Sequence, residues 1–101
     1  MVYEDKNNKR RFGHVSFSDN SGLSVDDAIK ITGAQSSFDG VGAEYEYIQM
    51  RFGEKGRDWT LKLQALVEDG EKVFDRLDLV LIKEKKEISL FFDISDFFGR
   101  F

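Results

Sequence analysis

Trp59-Thr60-Leu61-Lys62-Leu63-Gln64-Ala65-Leu66-Val67 runs into Glu68-Asp69-Gly70-Glu71 and then into Lys72-Val73-Phe74-Asp75-Arg76-Leu77-Asp78-Leu79-Val80-Leu81-Ile82. These residues decide the fold. Alternation with a period of two marks half-buried strands, and the Asp-Gly pair between two such runs marks a hairpin turn. Ile88, Leu90, Phe92 and Ile94 repeat the alternation after a charged turn from Lys83 to Lys86. The second half of the chain is therefore an antiparallel meander.

Register follows from parity, because directly opposed residues in an antiparallel pair point to one face. A two-residue Asp69-Gly70 loop would set Leu61 against Asp78 and split the apolar rows. An odd loop or a bulge at residues 68–72 restores them and is expected here. An even loop at Lys83 to Lys86 keeps Leu81 and Ile88 together. One face then carries Trp59, Leu61, Leu63, Ala65 and Val67 with Leu77, Leu79 and Leu81 of the second strand and Ile88, Leu90, Phe92 and Ile94 of the third. The other face holds Leu66, Phe74, Val80, Ile82 and Phe91 among Lys62, Gln64, Arg76, Asp78 and Ser89.

Upstream, Val41, Tyr45, Ile48 and Phe52 fall at helical spacing, from about Asp39 to a cap at Gly53. Glu44 and Glu46 near its start and Arg51 near its end suit the helix dipole. Before that helix the pattern weakens. Residues 12–17 suggest a short strand, Ser18 to Gly22 a turn, and Ser24-Val25-Asp26-Asp27 a capping box opening one helical turn. Ala28 to Gly33 is β-branched and alternating, as in a short strand. Ser95 caps a final turn in which Phe97, Phe98 and Phe101 fold back on the sheet edge. The expected fold is α+β, one main amphipathic helix packed on a mostly antiparallel three- to five-stranded meander sheet. Residues 12–101 form the single domain, and residues 1–11 a flexible polar N-terminal arm.

The chain has 101 residues, of which 41% are hydrophobic and 34% charged, an ordinary globular composition. A chain of this length buries roughly two-thirds of its unfolded surface, enough for one core. It contains no cysteine. Disulfides, thiolate nucleophiles and sulfur-ligated metals are thereby excluded. No apolar run approaches the ~20 residues needed to span a bilayer, and no signal core follows Met1, so a cytoplasmic protein is expected. The net charge is −4. Residues 1–12 hold four cations against two carboxylates, so the rest of the chain is more acidic than the total. Such a body argues against broad phosphate binding.

No catalytic constellation stands out. His14 is the lone histidine, without a companion at diagnostic spacing. Gly40-Val41-Gly42 lacks the third glycine of a dinucleotide fingerprint, since position 45 is Tyr. Asp75 and Asp78 point to opposite faces, and Asp93 with Asp96 straddles a strand end, so neither pair reads as a metal or acid–base site. No cofactor is expected.

Three functional readings remain. The first is a small non-enzymatic protein-interaction module, possibly a homodimer, using Phe74, Val80, Ile82 and Phe91. The competing reading of that face has Phe12, Val15, Phe17 and Leu23 fold across it, because domains bury their own apolar faces first. The second is a small-ligand binder or cryptic enzyme with His14, Tyr47 and Trp59 lining a cleft between helix and sheet. The third is a weak nucleic-acid contact through Lys6 to Arg11.

Overall fold

A computed structural model describes residues 12–99. The chain runs β1 (Ser16–Phe17), β2 (Ile29–Thr32), α1 (Ser37–Phe52), β3 (Trp59–Asp69), β4 (Lys72–Leu81) and β5 (Lys86–Asp93). The strands form one sheet in the order β1-β2-β5-β4-β3. The fold is α+β, one helix with a five-stranded, mixed but mostly antiparallel sheet. β3, β4 and β5 are the expected meander. β2 adds to it in parallel with β5, Ile29 opposite Phe92, and β1 pairs antiparallel with β2. A parallel neighbour needs a crossover, and α1 supplies it. Its 16 residues make a rod of about 24 Å, enough to carry the chain across the sheet from β2 to the far edge. Among the described residues no helix is long and apolar enough to cross a membrane.

The parity conflict in β3 is real, and the protein resolves it in mid-strand rather than at the turn. The β3–β4 loop has only two residues, Gly70 and Glu71, between Asp69 and Lys72. Gly70 has φ 65° and comes first in the turn, the pattern of a type II′ hairpin. The register then shifts between Leu61 and Leu63. Lys62 is the extra residue of this bulge. On its N-terminal side Trp59 opposes Leu81 and Leu61 opposes Leu79, as the pattern requires. On its C-terminal side Leu63 opposes Asp78, Ala65 opposes Arg76 and Val67 opposes Phe74. Leu63, Ala65 and Val67 are thus moved to the second face, whereas Gln64 and Leu66 are turned to the helix side. The β4–β5 loop is even, as expected, but lies at Ile82 to Lys85 and sets Leu79 against Ile88.

The core lies between α1 and the sheet. Ile29, Ile48, Leu77, Leu79, Leu90 and Phe92 are fully buried there with Trp59. Each such side chain contributes about 1.5–3 kcal/mol of transfer free energy. The helix starts earlier than its periodicity suggests. Ser36 is the N-cap, its hydroxyl accepting from the Asp39 N–H at 3.1 Å. The Asp39 carboxylate in turn accepts from Gln35 N–H. The inward row is also different: Gly40, Ala43, Glu44 and Ile48 are buried, whereas Val41, Tyr45 and Phe52 sit on the flank and are half-buried.

Two glycines explain that rotation. A Cβ on Gly40 would come within 2.1 Å of the Phe97 ring, and one on Gly42 within 2.2 Å of the Phe12 ring. Neither glycine is needed for its backbone angles. Both are sockets for aromatic rings. The C-terminal turn folds back as expected, but it is Phe97 that is buried, and against the helix. Phe12 seats on the helix flank, where its N–H reaches Glu46, and Val15 is buried in the same core. Phe17 packs against Tyr47 with ring centroids 5.1 Å apart. Residues 12–17 therefore serve the helix side rather than the second face, and Leu23 is exposed. Within them only Ser16–Phe17 is strand. Ser24 and Asp27 do close a hydrogen-bonded turn, at 3.2 Å, but no helix follows it.

Exposed helical glycine to alanine normally gains about 1 kcal/mol. Here the added methyl collides with a seated ring, and overpacking costs about 1–3 kcal/mol. Gly40→Ala and Gly42→Ala are each expected to lose about 1 kcal/mol net, lowering Tm by about 4–8 °C for a domain of this size. Thermal unfolding followed by circular dichroism checks this, and a raised Tm in both variants would refute the socket role.

Candidate functional site

The face of the sheet turned away from α1 carries neither helix nor strand among the described residues. β4 alternates Phe74, Arg76, Asp78 and Val80 along it, with Ile82 just past the strand end. β5 adds Glu87, Ser89 and Phe91, and β3 beyond its bulge adds Leu63, Ala65 and Val67. Of the four residues singled out from the sequence, Phe74 is closed off at 3% exposure. Val80 and Phe91 are half-buried, and Ile82 is 37% exposed. Leu63, which the bulge brings here, is 48% exposed. The accessible apolar patch is therefore Leu63, Val80, Ile82 and Phe91.

A fixed set of charges runs through that patch. The Arg76 guanidinium donates to both oxygens of Asp78, from Nε at 2.9 Å and from its NH2 nitrogen at 3.1 Å. Two parallel bonds of this kind fix geometry as well as charge. The Ser89 hydroxyl donates to Asp78 at 2.6 Å, and the Arg76 guanidinium lies 6.0 Å from the Phe91 ring centroid. Arg76 and the Ser89 hydroxyl hold the Asp78 carboxyl below its usual 3.8. Lys62, on the bulge, reaches across β4 to Glu87 at 2.9 Å. Two cations and two carboxylates thus alternate over three strands.

The three residues considered for a cleft do not converge. His14 pairs with Asp39 at 2.6 Å beside the start of α1. Tyr47 faces the β5 side of the core, edge-on to Phe92 at 5.6 Å, and receives a bond from Arg51 at 3.0 Å. Trp59 is buried at the other end of the helix, where its Nε1–H donates to the Gly53 carbonyl at 2.8 Å and its ring stacks on Tyr45. Each is occupied by a structural contact. The basic run Lys6 to Arg11 lies outside the described residues, as does Phe101. Among the described residues no group of three or more His, Asp or Glu side chains gathers to hold a metal ion.

One arrangement escaped the sequence reading. Glu44 is wholly buried between α1 and the sheet, and neither of its carboxyl oxygens has a hydrogen-bond partner in the form of a donor group. The carboxyl of Asp75, itself buried, faces it from β4. Burial first, then the hydrogen bond and charge of Asp75, raise the Glu44 carboxyl well above 4.5. The Tyr45 hydroxyl beside it is also pushed up, by burial and by those two carboxyls. The signal existed in the sequence. Asp75 shares the parity of Leu77 and Leu79, and Glu44 stands midway between Gly40 and Ile48 at i+4 spacing.

Searches against family models, curated proteins and solved structures gave no match to this chain.

The Asp78 site generates a pH prediction. A carboxyl whose folded value is depressed adds stability above its unfolded value, and that stability is lost as pH falls through the folded one. Asp78 should titrate below 3.8 in the folded protein, followed by carboxyl carbon NMR. Arg76→Ala should bring its midpoint back up towards that figure. An unchanged midpoint in Arg76→Ala would show that the ion pair does not hold the carboxylate.

Proposed function

We propose that this chain is a non-enzymatic interaction module and that its second sheet face binds a second copy of itself. The observation that carries the reading is the exposed pair Leu63 and Ile82 flanking half-buried Val80 and Phe91 on a rigid sheet. Isolated exposed apolar residues need no explanation, but a contiguous group on one flat face does. Arg and aromatic side chains are also the residue types that dominate binding energy at interfaces.

The choice of a second copy rests on charge. A two-fold interface uses one patch twice, so the patch must complement itself. Lys62 and Arg76 lie among Asp78 and Glu87, with equal numbers of each sign. Rotating a copy by 180° can set cations against carboxylates, whereas a patch of one sign would repel itself. The patch is small. Three strands at about 4.8 Å spacing and eight residues at about 3.3 Å give a few hundred Å² in projection. That suits a transient rather than an obligate dimer.

Sedimentation velocity over a concentration series tests the reading. The wild-type chain, 11.7 kDa as a monomer, should show a concentration-dependent dimer with Kd between about micromolar and millimolar. Leu63→Lys and Ile82→Lys should each weaken it at least about tenfold, the worth of roughly 1.4 kcal/mol. Leu23→Lys, at an exposed site on a different loop, should leave it unchanged. A wild-type chain that stays monomeric throughout, or a Leu23→Lys effect equal to the other two, would overturn the proposal.

A further inference from the structure

Glu44 presents a problem that the carboxyl of Asp75 can solve. An ionised carboxylate without donors in a low-dielectric interior is costly enough that it normally takes up a proton instead. Among the described residues no Lys, Arg or His pairs with Glu44 or with Asp75. From β4 the group facing Glu44 is Asp75. The residues paired with Asp75 are Leu66 on β3 and Phe92 on β5, neither of them titratable. On α1 itself the neighbour is the Tyr45 hydroxyl. The C-terminal turn brings the apolar Phe97 to the same helix at Gly40, while its Asp96 is exposed. Two carboxyls thus meet without a cation, and two carboxylates at close quarters cannot both ionise readily.

We propose that Glu44 and Asp75 share one proton at neutral pH and that this proton is a pH-sensitive latch seating α1 on the sheet. A protonated Glu44 has an O–H to donate, and the Asp75 carboxylate is the acceptor within reach. One proton removes a buried charge and supplies a hydrogen bond between the helix and β4. When it leaves, two negative charges face each other across the helix–sheet interface. This inference is independent of the dimer reading, since both carboxyls lie on the face opposite the docking patch.

The sign of the pH dependence is fixed. In the unfolded chain Glu44 releases its proton near 4.5, whereas in the folded chain it keeps it to higher pH. The folded state therefore holds the extra proton above about pH 4.5. Stability is full below that value and falls as pH rises towards the folded midpoint, by up to about tenfold in the unfolding constant per pH unit. This is opposite to the effect of Asp78, Asp39 and Asp58, whose depressed values make the fold weaken in acid.

Urea unfolding of the full chain, repeated from about pH 5 to pH 8, is the test. The wild type should lose stability as pH rises. Glu44→Gln, which keeps the shape without the charge, should abolish that slope and exceed the wild type at the alkaline end. Asp75→Asn should also flatten it, because the amide can donate to an ionised Glu44. Glu84→Gln, in the exposed β4–β5 turn, should keep the wild-type slope. Infrared spectroscopy gives a readout that does not depend on the stability of any variant. At pH 7 the folded wild type should show the carbonyl band of a protonated carboxylic acid. A flat wild-type profile, a slope that survives in Glu44→Gln, or a wild type lacking the carboxylic-acid band at pH 7 would each overturn the latch.

Discussion

In a sheet covered by one helix, each strand residue is committed to one of two faces, and register decides which. The tight Gly70-Glu71 turn fixes the pairing of β3 and β4 from one end. The apolar demand of the core fixes it from the other, through Trp59 and Leu61. The two requirements differ by one residue. The bulge at Lys62 absorbs the difference. A bulge costs a ladder position and bends the strand locally, but it lets both ends keep their preferred geometry. It lies on β3, which among the described strands pairs with β4 and stands last in the sheet order. A bulge and a lysine there also make the edge a poor template for further strand pairing.

The consequences of that one residue run to both faces. On the second face it delivers Leu63, Ala65 and Val67 and aims Lys62 at Glu87. Without the shift these side chains would face the helix, and the patch would lose its most exposed apolar member. On the helix side it leaves Gln64 and Leu66 beside β4 near Asp75, where a fully apolar row would otherwise stand. The end of the core nearest Asp75 is therefore more polar than the end nearest Trp59. Glu44 lies over that polar end. The two features that point beyond simple packing, the exposed apolar patch and the acid pair, both adjoin the shifted segment of β3.

Much of the fold was legible from period and turn chemistry. The meander, the main helix with its Gly53 cap, the strand at Ile29–Thr32 and the even second loop all follow from local pattern. What was not legible had a common cause, namely contacts between residues distant in sequence. Gly40 and Gly42 look like a phosphate-binding turn or a weak helix start until Phe97 and Phe12 are seen to occupy them. The inward row of α1 was misread because it contains two glycine or alanine positions and a glutamate, whereas the flank holds Val41, Tyr45 and Phe52. Hydropathy favours the flank, but ring packing favours the row with small side chains. The parallel pairing of β2 with β5 likewise has no local signature, since four residues of alternating pattern can join any free edge.

The same reasoning explains why Glu44 and Asp75 were overlooked and why they carry more weight than the sites first considered. An acidic residue in an apolar row contradicts the pattern, and pattern reading resolves the contradiction by moving the row. The structure resolves it by burying the residue. Burial of a carboxyl with no donor is unfavourable for stability alone, because glutamine or leucine would fit the row at lower cost. His14, by contrast, satisfies every local rule. It is partly exposed, bonded to Asp39 beside a helix N-terminus that favours the carboxylate, and it leaves nothing unexplained. A site that obeys packing logic is accounted for by packing. The side chain whose place costs stability, and which faces another acid across the helix–sheet interface, is the one that calls for a further physical reason, and the shared proton proposed above supplies it.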